Sequence, residues 1–565
     1  MVNRIYMMIF RLTITTILAT GLSTMTGPAA AMPPHPDIQG KIRSGEVSLP
    51  FAKARIAGTE SDLDAPARVN SPAYIGPFKA LCIMVDFSDN PGVTASTEFD
   101  TLVFAAQTGT VRDYYNEVSY GRIDLVTVNL PSSLNWKRAP LTYAYYVDNN
   151  YGTDSPYPHN TQKLCEDLVD LVDAQIDFSE YDNDGDGYVD ALLITHAGPG
   201  AEYTGQRTDI WSHKWSIAPR NRDGVSIYNY AIMPEFWSAS GDMTIGVYCH
   251  ELGHVLGLPD LYDTDGSSRG AGNWSLMATG SWNGGLGRTP AHPDPWCKIQ
   301  AGWLTPSVVA ANQTGVSIPA VESDATAFRL WTSGQTGNQY FLVENRQKSG
   351  YDAALPGSGL LIWHVDDGAA NNNNEWYPGH TTSGHYKVAL EQADNLYQLE
   401  INASAGDASD PFPGMTVNRS FNPTSAPSSD SYAPSSSFVA VSNISASAAV
   451  MTADFAVSLA AGNEDGNDQD QSLPDLWLGQ NSPNPFNPVT VITYTLGKPG
   501  EAAISVYNIC GEHVADLVSG HHNAGSYTVS WNGVDAEGRL VASGIYLYEL
   551  VTDDGAQVRK MVFLK

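Results

Sequence analysis

The sequence predicts a multidomain chain in which an α+β domain is followed by a β-rich domain and a C-terminal immunoglobulin-like β-sandwich. Three observations carry this reading. The chain has 565 residues, which at about 100 to 200 residues per domain implies three to five domains. Helical and strand-like stretches alternate up to about residue 304, and after Trp303 the texture changes to short strand-like runs separated by Gly, Asn, Asp and Ser. Finally, Ala460 to Ser472, which contains GNEDGNDQDQS, is polar and acidic, so 459–473 reads as a flexible linker before a separate last domain.

At the start of the chain, Arg4 and Arg11 precede a mostly apolar stretch, Leu12 to Leu22, and small residues end at Ala29-Ala30-Ala31 with no acidic residue before Asp37. This is the pattern of a secretory signal peptide, 1–31, with cleavage expected after Ala31. It is too short for a stable span, and no later run approaches about 20 apolar residues. The expected location is therefore extracellular or cell-surface, with no transmembrane anchor in the mature form. Acidic residues outnumber Lys and Arg by 61 to 30, a formal charge of −31, which opposes nucleic acid or anionic membrane as partners and favours cations. Five cysteines in no pattern do not make a disulfide scaffold, although one or two bridges stay open. Residues 32–75 are rich in Pro, Ala and charge, and read equally as a pro-segment or as an N-terminal arm packed on the domain that follows.

That domain, 76–304, opens with Lys79 to Phe87 (KALCIMVDF), an apolar run consistent with a buried strand. Ser96 to Ala106, Gly109 to Ser119 and Thr161 to Ile176 read as helical, the last with Leu164, Leu168, Leu171, Val172 and Ile176 on one face. Between this helix and the next strand lies Asp182-Asn183-Asp184-Gly185-Asp186-Gly187-Tyr188-Val189-Asp190. Alternate aspartates before glycine place carboxylates around a tight loop, the way calcium is held, so Asp182, Asp184, Asp186 and Asp190 are candidate ligands. An Asx-rich solvated turn is the plain alternative, because the twelfth position is Leu193 instead of a bidentate Glu.

The chemistry centres on His250-Glu251-Leu252-Gly253-His254-Val255-Leu256-Gly257-Leu258-Pro259-Asp260. Two histidines four apart on a helix lie about 40° apart around its axis, so both imidazoles can hold one metal ion with Glu251 beside them. Ile245, Tyr248, Cys249, Leu252, Val255 and Leu256 recur at helical spacing, and Gly257 stands where a left-handed cap belongs. A catalytic zinc takes three protein ligands and leaves a position for water, so Asp260 is the expected third donor. Two nitrogens and a carboxylate suit zinc, though spacing alone does not exclude another divalent ion. Gly266 to Gly270 matches a nucleophile elbow by letters only, since no strand leads into it and no helix follows. Cys249 reads as a packed helix residue, and His196 and His213 as structural histidines.

With these residues in place, the sequence resembles the immune inhibitor A-like metallopeptidases, relatives of the metzincins whose motif ends in aspartate in place of a third histidine. GNWSLMATGSW (Gly272 to Trp282), GTVRDYYNEVSYGRIDL and YFLVENRQKSGYDAALPGSGLLIWHVD resemble segments of that family. The resemblance implies a zincin-like catalytic domain, a Met-turn with Met277 beneath the metal as a structural residue, a calcium loop, and Ile227 to Glu235 as the cleft-edge strand that pairs with extended substrate. Residues 305–458 form the β-rich accessory domain, with no chemistry of their own. Residues 474–565 begin with QNSPNPFNPVT and end in KMVFLK, and resemble the sorting domains of the type IX secretion pathway, which implies contact with secretion machinery.

The expected function is a secreted zinc endopeptidase acting on proteins or peptides, with Zn2+ and Ca2+ as cofactors and Glu251 as general base. A catalytically inactive adhesion protein and a zinc amidase acting on cell-wall peptides are the competing readings. No residue for stabilising the oxyanion can be selected among so many tyrosines.

Overall fold

An uninterrupted apolar strand is buried on both faces, and the centre of the first domain is built that way. The computed structural model describes residues 30–51, 74–380, 384–432, 436–458, 476–479, 481, 486–509, 511–553 and 555–565. The expected signal peptide as far as Ala29, residues 52–73, the linker 459–473 and Cys510 lie outside the described residues. Strands β1 (Ala30–Ala31), β2 (Gly76–Lys79), β3 (Leu81–Asp86), β4 (Ile123–Val126), β5 (Lys137–Arg138), β6 (Leu192–Pro199), β7 (His213–Arg222) and β8 (Val225–Phe236) belong to the first domain. Six of them form one sheet in the order β1-β7-β8-β6-β3-β5. β3, β6 and β8 run parallel in the middle, with Leu81 opposite Leu192 and Ile194 opposite Ile232, whereas β7 is antiparallel to β8.

Alternation along β3 divides the core. Leu81, Ile83 and Val85 join Leu164, Leu168 and Val172 of a helix at Thr161–Val172, while Cys82 and Met84 join Tyr114, Tyr115, Tyr248, Cys249 and Leu252 on the other face. Helices α1 (Val111–Val118), α2 (Thr161–Val172) and α3 (Ile245–Val255) therefore cover both faces of a largely parallel sheet. The four described cysteines are free and buried, Cys249 within α3 among them.

One expectation is overturned. Ile227 to Glu235 lies in β8, which is an interior strand between β6 and β7, and β7 is the strand on which the two-residue outermost strand Ala30–Ala31 pairs. The reason is a hairpin: Asp223 (φ 51°) and Gly224 (φ 86°) turn β7 back along β8, so the edge moves out by one strand.

The second domain contributes β9 (Ser307–Val309), β10 (Gln313–Pro319), β11 (Phe328–Leu330), β12 (Gln339–Arg346), β13 (Gly359–Asp366), β14 (Val388–Leu390), β15 (Ala440–Ser442) and β16 (Val450–Ala456). They form a five-stranded sheet, β14-β13-β12-β11-β9, and a three-stranded one, β10-β16-β15. Phe341, Val343 and Ile362 face the small sheet, but Leu342, Leu361, Trp363 and Val365 join the core that holds α3. The β-rich domain thus shares a continuous core with the first domain.

Strands β17 (Leu476–Leu478), β18 (Thr490–Leu496), β19 (Gly500–Asn508), β20 (His513–His522), β21 (Gly525–Trp531), β22 (Gly544–Thr552) and β23 (Gly555–Phe563) form two antiparallel sheets, β17-β18-β21 and β20-β19-β22-β23. Ile492, Ile504, Val506, Trp531, Tyr548 and Phe563 fill the space between them, which gives the β-sandwich the sequence predicts.

Candidate active site

Helix α3 is buried at every position from Ile245 to His254, so its polar residues need specific partners. Its end is fixed by Gly257 at φ 90°, with Leu258 N donating to Gly253 O at 3.0 Å and Gly257 N to His254 O at 3.0 Å. These bonds satisfy the last carbonyls and turn the chain back beneath the histidines. Gly253 is required for another reason, since a Cβ there would stand 2.7 Å from Met277 Sδ.

The two imidazoles are oriented from behind. His250 Nδ1 lies 2.9 Å from Leu276 O and His254 Nδ1 lies 2.8 Å from Leu258 O, which places the proton on each Nδ1 and leaves each Nε2 lone pair forward. The two Nε2 atoms are 3.0 Å apart, and Asp260 Oδ1 is 3.2 Å from His250 Nε2 and 3.1 Å from His254 Nε2. Tetrahedral zinc with bonds of about 2.0 to 2.1 Å spaces its ligands roughly 3.3 Å apart, so this triangle has the size and donor set for it. Asp260 Oδ1 is buried without a hydrogen-bond donor. Burial lowers the His250 pKa and so favours the neutral, ligating form, whereas burial raises the Asp260 pKa and the two histidines overcome that, holding it below the usual carboxylate range.

Glu251 is fully buried, and neither carboxylate oxygen has a hydrogen-bond partner. Burial first, then the charges of Asp260 and Glu202, push its carboxyl well above the usual range. Met277 does not offer a donor to the triangle; its carbonyl accepts from Leu261 N at 2.8 Å, one residue beyond Asp260. The segment around Met277 therefore meets the site through its backbone and through the close approach of its sulfur to Gly253.

The cleft contains chain. Ala30 and Ala31 pair antiparallel with Lys214 and His213 of β7, Ala31 N donates to Asp260 Oδ2 at 3.4 Å, and Tyr262 Oη donates to Ala31 O at 2.7 Å. Downstream, Met32 N donates to Ser212 O at 3.1 Å, Trp211 Nε1 to Met32 O at 2.8 Å and Trp282 Nε1 to Pro33 O at 2.9 Å. Ile38, Val47 and Phe51 then bury against Tyr151, Ala201 and Trp211. The expected signal-peptide boundary after Ala31 falls inside this contact. Ser212 is itself held by Glu202, whose Oε1 and Oε2 accept from its hydroxyl at 2.6 Å and its N–H at 3.0 Å.

Tyr262 and Glu202 are the residues that sequence reasoning misses. Tyr262 carried a signal in standing two residues after Asp260. Glu202 carried none. His213 is structural, with Nδ1 2.6 Å from Trp211 O and Nε2 2.9 Å from Thr161 Oγ1; His196 is buried, with Nδ1 3.0 Å from Ala197 O.

In the aspartate loop, oxygens of Asp182, Asp184 and Asp190 come within 4.8 Å of one another. Asp186 stands outside that group, its Oδ1 accepting from Tyr188 N at 2.9 Å. Asp182 also caps the turn, accepting from Gly185 N at 2.8 Å and Gly187 N at 3.0 Å. Further on, Asp263 accepts from Asp265 N, Ser268 N and the hydroxyls of Ser267 and Ser268.

Residues 93–304 match the family described as immune inhibitor A peptidase M6, catalytic domain, and residues 487–556 match the FlgD Ig-like domain. The first match and the site together make residues 93–304 a metalloendopeptidase domain. The chain is 29% identical over 318 residues to "Immune inhibitor A" of Bacillus thuringiensis subsp. alesti, covering 46% of this chain and 45% of that one. It is 30% identical over 218 residues to "Pre-pro-metalloprotease PrtV" of Vibrio cholerae serotype O1, strain M66-2, covering 32% of this chain and 23% of that one. The chain thus spans less than half the length of these curated relatives. A solved structure of FlgD from P. aeruginosa aligns with 17% of this chain and 74% of its own, at 18% identity and a TM-score of 0.12, too slight a likeness to carry an argument.

Proposed function

We propose that the chain is an exported zinc endopeptidase, and the observation that carries this is the Nε2–Nε2–Oδ1 triangle of His250, His254 and Asp260 with an unpartnered Glu251 beside it. A zinc ion held by those three residues would polarise the scissile carbonyl and bring the pKa of a water toward about 7. Glu251, adjacent to the triangle, takes the proton of the attacking water and returns it to the leaving amine. Tyr262 supplies a hydroxyl to the substrate carbonyl, a role read from its 2.7 Å bond to Ala31 O. Strand β7 offers its edge to an extended backbone, as it does to Ala30 and Ala31.

The bonds of Met32 and Pro33 to Ser212, Trp211 and Trp282, with the burial of Ile38, Val47 and Phe51, support reading residues 32–75 as a pro-segment whose start lies against the cleft. Calcium in the loop of Asp182, Asp184 and Asp190, export by a signal peptide, and sorting by the C-terminal sandwich through the type IX machinery complete the proposal. No helix among the described residues is long and apolar enough to cross a membrane.

The test is cleavage of casein by the purified chain after removal of the N-terminal segment, with and without a zinc chelator, beside Glu251→Ala. Chelator-sensitive cleavage that the variant lacks is expected. A folded, zinc-loaded and segment-free enzyme that cleaves neither casein nor any of a panel of unfolded proteins would sink the endopeptidase reading and favour an amidase or a binding protein.

A further inference from the structure

A second carboxylate cluster lies outside the catalytic centre. Asp394, Asp407 and Asp410 bring one carboxylate oxygen each to within 4.8 Å of one another. No Lys, Arg or His among the described residues pairs with any of them. Asp410 is 1% exposed, and its two oxygens are used differently. Oδ2 accepts from Trp274 Nε1 at 3.1 Å and from Asp407 N at 2.9 Å, whereas Oδ1 is buried with no hydrogen-bond partner. A buried carboxylate oxygen without a donor, on a carboxyl group that clusters with two others, is costly unless a cation or a proton completes it.

We propose that Asp394, Asp407 and Asp410 hold a divalent cation, calcium by the chemistry of an all-oxygen donor set, and that this ion braces the Met-turn from the β-rich domain. Geometry supports the brace. Ala393 N donates to Asp410 O at 2.9 Å, which ties the two acidic loops together. The same loops grip the segment before Met277: Asn273 N donates to Ala405 O at 2.7 Å, Arg269 N to Leu399 O at 3.0 Å, and Trp274 Nε1 to Asp410. A Cβ on Gly406 would stand 3.2 Å from Trp274 Cδ1 and nearer still to Nε1, so the loop approaches the indole as closely as glycine permits. From Trp274 the chain runs three residues to Met277 and passes Leu276, whose carbonyl orients His250. With no cation present, burial and then the neighbouring aspartates lift the Asp410 carboxyl to about 7, and a bound divalent ion reverses that balance.

The experiment uses the full chain, stripped with a chelator and dialysed. Calcium chloride is titrated calorimetrically, and thermal unfolding is followed with and without calcium for the wild type, Asp407→Asn, Asp394→Asn and, as a control on the other acidic loop, Asp184→Asn. The expected result is one calcium fewer in Asp407→Asn and Asp394→Asn than in the wild type, with a calcium-induced rise in Tm several degrees smaller. In chelator the sign reverses, because removing one of three like charges leaves these two variants at least as stable as the wild type, which loss of an ordinary hydrogen bond would not do. Asp184→Asn keeps the contribution of this site. Two variants that bind as many calcium ions as the wild type and gain the same Tm overturn the proposal, and so does a wild type that takes up no calcium here because Asp410 carries a proton.

Discussion

Glu251 and Tyr262 stand on opposite sides of one question at the residue scale, namely which groups move protons and which stabilise charge. Glu251 is fully buried beside Asp260, so Glu251→Gln should lower kcat by roughly 10²- to 10⁴-fold, the usual contribution of a positioned acid–base group, while zinc content by mass spectrometry stays at one per chain. Normal turnover in a zinc-loaded variant would remove it from the mechanism. Tyr262→Phe deletes only the hydroxyl that meets a cleft carbonyl. A loss of about 10²-fold in kcat with KM nearly unchanged is expected if that bond strengthens in the transition state. An unchanged kcat with a raised KM would make Tyr262 a binding residue instead.

Helix α3 and the first residues of the chain set the behaviour at the element scale. The helix meets the Met-turn through a glycine, and Gly253→Ala places a methyl 2.7 Å from Met277 Sδ. Overpacking of this kind costs about 1 to 3 kcal/mol, so the variant should melt several degrees lower and bind zinc more weakly; an unchanged Tm would mean that Met277 moves aside freely. The N-terminal segment is held by apolar burial as well as by the hydrogen bonds of Met32 and Pro33. Ile38 is 4% exposed against Tyr151, Ala201 and Trp211, and Ile38→Asp forfeits about 2 kcal/mol of burial. The initial rate of casein cleavage by the unprocessed chain should then rise by about tenfold. Equal rates for variant and wild type would show that the segment does not restrain the enzyme.

At the scale of the whole molecule, the shared core of the first two domains buries ionisable groups outside the His250–His254–Asp260 triangle. Arg346 is fully buried between Asp352, at 2.6 and 2.7 Å, and Glu344, at 3.1 Å, and also donates to Trp274 O at 3.2 Å. Glu400 pairs with no such cation among the described residues and accepts from Gln392 Nε2 at 2.7 Å. Burial raises its carboxyl from 4.5 to about 8. The unfolded chain loses this proton near pH 4.5 and the folded chain only near pH 8, so the folded state binds more protons between them and stability falls as pH rises through that window. The loss is on the order of a few kcal/mol. Glu400→Gln should flatten this slope in urea unfolding measured from pH 4.5 to 8.5, and a slope identical to the wild type would show that Glu400 ionises without cost.

The grouping of His250, His254 and Asp260, the helix that carries the two histidines, the central strand at Leu81–Asp86 and the final sandwich were legible in the sequence because each depends on neighbours a few residues apart. His250 and His254 share a face by helical spacing, Gly257 announces the turn that delivers Asp260, and alternation in the last domain follows from the pleat. The edge strand was misplaced because a hairpin at Asp223-Gly224 decides which of two similar strands lies outermost. Tyr262 is a tyrosine among 28 until the fold sets its hydroxyl against a cleft carbonyl, and Glu202 acquires meaning only beside Ser212. Asp410 meets Trp274 across 136 positions of chain. Local spacing fixes which side chains can act together on one element, whereas contacts between elements are decided by the burial of apolar surface around them, and only the tertiary structure records that outcome.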